Sequence, residues 1–270
     1  MTTTPARPPE SGTRVGPGAA GKPGPRSSWY LLPAYAGIAY VVAWAAGLAV
    51  WPQNLPLNAP PAQVAASYAA HPAAAVTQYV LVEGLAGLLL GVVLAFALIS
   101  GDHRAVRNRL VTATALAAVV ISLLQAIVGM FLIAAATQHD IARAGNLSDL
   151  VNRLDGAKML ALAAVAAYLA ARGAADHTPA WLRVTAALAA AALAVSGLGY
   201  LLLSGTLGWA AYVSGPLLLL WVAATGVWLT RRGTTAPRRS APRWPAARTA
   251  GGWPCRARPD RPRRPRGPAF

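Results

Sequence analysis

A handful of charged and amide side chains sit in stretches otherwise built from Ala, Leu, Val and Gly. The candidates for a functional site are Glu83, Gln125, Asn152, Arg153, Asp155 and Lys158. A carboxylate and an ammonium can form an ion pair, a carboxylate can carry a proton, and amides can hold a neighbouring helix or a solute. Ionisable groups inside apolar spans are functional candidates by default, because their burial is costly. Four of the six fall in one run, Asn146 to Arg172 (NLSDLVNRLDGAKMLALAAVAAYLAAR), which starts as charged as a soluble helix and ends as apolar as a lipid-facing one.

Within that run, Asp149/Arg153 at i,i+4 and Asp155/Lys158 at i,i+3 can pair along a helix. Glu83 is then the charge without a local partner, and Lys158 or Arg153 is its expected counter-ion. Leu147, Leu150, Leu154, Ala157 and Ala161 form one apolar stripe, and Asp149, Asn152, Arg153, Asp155 and Lys158 wrap around the rest. Plainer readings stand beside these. Glu83 can be one half of a structural ion pair, and Gln125 an interhelical hydrogen-bonding residue. Residues 146–156 can be an amphipathic lead-in lying among the headgroups.

Other chemistry is disfavoured. Cys255 is the only cysteine, which excludes an internal disulfide, a Cys-based zinc site, an iron–sulfur cluster and a CxxC redox centre. His71, His103, His139 and His177 all lie between the apolar runs, so no pair of buried histidines can hold a haem. HExxH, GxSxG, Walker and DxD patterns are absent. No catalytic residue, metal or cofactor is expected.

The elements that must position the candidates are membrane helices. Hydrophobic residues make up 56% of the chain and charged ones 12%, with a mean hydropathy of +0.44. Apolar runs of this length must be helical in lipid, where no backbone group can be left unpaired. The expected fold is all-α and polytopic, with six transmembrane helices at about 30–51, 74–99, 110–136, 150–172, 182–204 and 212–230. The membrane domain is 29–231. Residues 1–28 and the Arg/Pro-rich 232–270 have no apolar period and are expected to be disordered. Between the first two spans, Pro60-Pro61 followed by AQVAASYAAH predicts a short surface helix.

Counting 1.5 Å per residue from the cytoplasmic ends puts Glu83, Gln125, Asp155 and Lys158 at one level, roughly 20–24 Å up. Ser196–Tyr200 and Ser214–Pro216 reach the same level in the last two spans. Glu83, Gly84, Gly87 and Gly91 share one helical face; Ser122, Gln125 and Gly129 share another. Small residues mark close helix approach, so these faces are expected to meet protein. Gly215-Pro216 is expected to kink the last span.

The formal net charge is +16, and twenty-one of the twenty-four Lys and Arg fall on one side of this topology. Both termini are therefore expected in the cytoplasm and the protein in the plasma membrane. The twelve arginines from Arg231 onward are expected to meet anionic lipid headgroups. Nucleic acid is not favoured, since no folded module or interleaved aromatics accompany them.

The runs LVNRLDGAKMLALA, SGLGYLLLS and AYVSGPLLLLWVA resemble those of uncharacterised six-helix membrane proteins of high-GC bacteria. The resemblance runs from the first span to the last and excludes both tails. It implies a topology and no chemistry. The function expected on these grounds is a non-enzymatic, membrane-embedded binding module or a structural partner of another membrane protein or of a second copy. A proton- or solute-coupled transporter using the polar layer is the first alternative, and an enzyme acting on lipid-linked substrates the last.

Overall fold

Residues 28–51, 55–99, 105–172 and 178–235 are described by the computed structural model. The tails expected to be disordered fall outside these residues, apart from Ser28 and the end of the last helix. The structure is 90% helical with no strands among the described residues. A 3-10 turn (Ser28–Leu31) leads into α1 (Leu32–Val50). Then come α2 (Pro61–Ala70), α3 (Pro72–Tyr79), a π-helical segment (Val80–Leu85) and α4 (Ala86–Ile99). They are followed by α5 (Ala105–Thr137), α6 (Ile141–Arg172), α7 (Ala180–Leu201), α8 (Gly205–Gly208) and α9 (Ala211–Thr235).

Among the described residues, six helices are long and apolar enough to cross a membrane: Leu32–Val50, Pro72–Ile99, Arg109–Thr137, Ile141–Arg172, Ala180–Leu201 and Gly205–Arg232. The second joins α3, the π segment and α4. The chain is thus a multi-pass membrane protein. The helices close a ring in which α1 packs on α4 and α9, α9 on α7, α7 on α6, α6 on α5, and α5 on α4. One apolar cluster, around Trp221, Leu94, Leu162 and Leu193, fills one part of the bundle. A second, around Trp51, Tyr68, Tyr79 and Leu132, ties α2 down on the rest.

Helix α6 begins at Ile141, well before the expected 150, because the turn ahead of it is fully capped. The Asp140 carboxylate Oδ1 accepts the N–H of Arg143 at 3.1 Å, an N-cap bond. The end of α5 is closed by the Asp140 N–H to Ala135 O and the His139 N–H to Ala136 O. His139, at φ 60°, takes the left-handed position such a C-cap requires. At 32 residues, α6 is about 48 Å long and outreaches a hydrocarbon core of ~30 Å.

The buried side of α6 is built mainly of small residues. Leu150 is 44% exposed, while Ala144, Gly145, Gly156, Leu162, Ala163, Val165 and Ala166 are buried. Leucine gains nothing by leaving lipid, whereas small residues let helices touch. A Cβ on Gly156 would lie 2.7 Å from Gly197 O and Leu201 N of α7, so the two backbones are in direct contact there.

The short helix after Pro60 is present as α2, packed on α5 and α6 with Val64, Ala65 and Tyr68 buried. The hydroxyls of Tyr68 and Tyr79 are 3.0 Å apart, and Trp51 meets Tyr68 edge-on. Burial pushes the Tyr68 phenol up to about 12, partly opposed by its bond to Tyr79. Pro216 lies inside α9, which stays one continuous helix. It sits in the second turn, where losing one backbone bond does not end the helix.

Candidate functional site

The π segment brings Glu83 to the bundle interior from the second span, α5 brings Ser122 and Gln125, and α6 brings Asp155 and Lys158. Lys158 Nζ lies 2.6 Å from Glu83 Oε2 and 2.7 Å from Asp155 Oδ1. Asp155 and Lys158 are one helical turn apart, whereas Glu83 reaches Lys158 from another helix. The three side chains are only 12–17% exposed. One ammonium is thus shared by two carboxylates, and as ionised groups the three carry one net negative charge.

Amide and hydroxyl donors surround this core. Ser122 Oγ donates to Glu83 Oε2 at 2.8 Å. Gln125 Nε2 donates to Asp155 Oδ1 and to the Val151 carbonyl, each at 3.3 Å. Every bond to the carboxylates therefore ends on Glu83 Oε2 or Asp155 Oδ1, and Glu83 Oε1 and Asp155 Oδ2 accept none from a described residue. Gln125 is 1% exposed, and its Oε1 is buried with no hydrogen-bond partner. Two phenols, Tyr40 of α1 and Tyr200 of α7, lie within electrostatic range of Glu83, Asp155 and Lys158. Tyr40 is 3% exposed.

Of the residues singled out in the sequence, Glu83, Gln125, Asp155 and Lys158 come together here. Asn152 does not join them. It lines a cleft with Trp51, Leu57, Tyr68, Ser148 and Asp149. That cleft has a cavity volume of about 50 Å³, room for a few waters and no larger solute. Arg153 does not join either: it is exposed and pairs neither with Glu83, whose counter-ion is Lys158, nor with Asp149. It lies five residues from Lys158, about 140° round the helix, and cannot face the same interior.

The packing glycines divide similarly. A Cβ on Gly87 would meet Ser122 at 2.8 Å, one on Gly91 would meet Val119 at 3.0 Å, and one on Gly129 would meet the Tyr79 ring at 2.6 Å. Gly84 has no atom of another helix within 4 Å of its Cβ position. Gly215 faces Trp44 at 3.3 Å. Ser122, Tyr40 and Tyr200 are members of the cluster's surroundings that the sequence did not single out as site residues. Ser122 was visible as a neighbour of Gln125 at helical spacing, and Tyr40 as a phenol inside an apolar run. Nothing in the sequence announces the π segment under Glu83.

Compared with protein-family models, curated proteins and solved structures, the chain gives no match.

Proposed function

We propose that this chain is a non-enzymatic, membrane-embedded binding module whose ligand is a proton, held by the Glu83–Lys158–Asp155 cluster. The observation that carries the reading is the charge count. Two carboxylates flank one ammonium at 2.6 and 2.7 Å, and one added proton makes the group neutral. An uncompensated charge in poorly hydrated surroundings is costly, so proton uptake has a defined driving force here. A purely structural ion pair needs one carboxylate; the second is what the binding reading explains.

Coupled transport is the second reading, and the π segment carrying Glu83 favours it. π segments in α-helices are frequent at functional sites, and a helix that already departs from α geometry offers an element able to change register. Under either reading the protein sits in the plasma membrane with both termini in the cytoplasm, as its basic residues direct, and its arginine-rich end meets anionic lipid.

Infrared difference spectroscopy on the protein in detergent tests the proposal. On acidification, wild type gains the band of a protonated carboxyl group. Glu83→Gln keeps the shape, leaves one carboxylate to one ammonium, and loses that band. A wild type with no such band, or a Glu83→Gln variant with the wild-type spectrum, defeats the proton-binding reading and leaves a structural pair.

A further inference from the structure

The strongest unexplained feature of the interior is Gln125. Its amide orientation is dictated by its neighbours, because Asp155 Oδ1 and Val151 O are both acceptors and only Nε2 can face them. That leaves Oε1 buried, beside a charged cluster, with no donor. Buried polar groups are almost always paired, and an orphan acceptor marks a missing donor. Asp155 Oδ2, on the carboxylate that Gln125 already touches, accepts no hydrogen bond from a described residue.

The geometry points to Asp155 as the carboxyl that holds the proton, with Gln125 as the amide that receives its hydrogen bond. A carboxylic acid and a carboxamide pair through two parallel bonds. One is in place, Nε2–H to Oδ1. Protonation of Oδ2 supplies the other, Oδ2–H to Oε1, and satisfies the orphan. The proton comes from water, forms the Oδ2–H bond, and returns to water when that bond breaks. The final torsions of Asp and Gln side chains are soft, so the amide and carboxyl planes can align without moving either helix.

The groups around the cluster support this division of roles. The second span presents Glu83, whose Oε2 already takes the ammonium and the Ser122 hydroxyl. From α5 come Ser122, which is spent on Glu83, and Gln125. From α6 come Asp155 and Lys158, from α1 Tyr40, and from α7 Tyr200, with Tyr212 of α9 beyond it. Among these, Gln125 alone offers a buried acceptor without a partner. Gln125 is accordingly a positioning residue: it does not carry the proton, but sets how firmly Asp155 keeps it.

This inference rests on the proton-binding reading, and the experiment separates the two. Wild-type protein is labelled with carboxyl-¹³C aspartate in one preparation and carboxyl-¹³C glutamate in another, and the acid-induced carboxyl band is recorded. The aspartate label is expected to shift the band, and Asp155→Asn to remove it. In Gln125→Leu the band persists and moves to higher frequency, because the carboxyl then lacks both hydrogen bonds of the acid–amide pair. A band that follows the glutamate label overturns the assignment. An unmoved band position in Gln125→Leu overturns the acid–amide pair. Absence of any band in wild type sinks the proton-binding reading itself.

Discussion

Lys158 stands between two carboxylates, and this makes its loss unequal to theirs. Lys158→Ala leaves Glu83 and Asp155 facing each other across the interior without a cation. Glu83→Ala leaves a Lys158–Asp155 pair that is internally balanced. Removing one partner of a fully buried pair costs about 3–5 kcal/mol. With 12–17% exposure, Lys158→Ala is expected near the lower end of that range and Glu83→Ala well below it. Unfolding of both single variants and the double in detergent checks this, and the double should lose less than the sum. Equal or additive losses would mean that the shared-ammonium geometry does not hold. The residues that meet here were readable in the sequence for a physical reason: each is polar in an apolar run, and each demands a partner. Arg153 does not reach the cluster because it lies five residues from Lys158, about 140° round α6. Tyr40 was overlooked because a phenol costs little in a span.

At the scale of elements, the spans were legible from hydropathy, since lipid permits few alternatives to helix. Their contact faces were less so. In water an apolar stripe points to the core, but in lipid leucines face outward freely, and α6 buries its glycine and alanine side instead. The Gly156–Gly197 contact tests that account. Gly156→Ala adds a good helix former, yet its Cβ would sit 2.7 Å from backbone atoms of α7. Separating the helices should cost about 1–3 kcal/mol and disturb Asp155, the adjacent residue. Gly84→Ala, with no other helix nearby, should be neutral or slightly stabilising. If both alanines behave alike in thermal unfolding, α6 and α7 do not meet at these glycines. The early start of α6 escaped the sequence reading because it depends on the His139–Asp140 capping geometry, which hydropathy does not register.

For the molecule as a whole, the proposed topology puts both ends of the chain on the cytoplasmic face, as the distribution of arginine directs. In a Cys255→Ser background, cysteines at Asn58 and Gly205 should react with a membrane-impermeant thiol reagent in intact cells. Both positions are exposed, and Gly205 has open space at its Cβ. A cysteine at Ala180, also exposed, should react only after permeabilisation. The reverse pattern would invert the topology and with it the side from which protons reach the cluster.

The central claim is a count of charges, so counting protons tests it most directly. Purified protein in weakly buffered detergent is acidified and the uptake compared between wild type and variants of the cluster. Wild type should take up one proton more than Glu83→Gln and one more than Asp155→Asn, because each variant leaves a single carboxylate balanced by Lys158. Identical uptake in all three proteins would contradict the account.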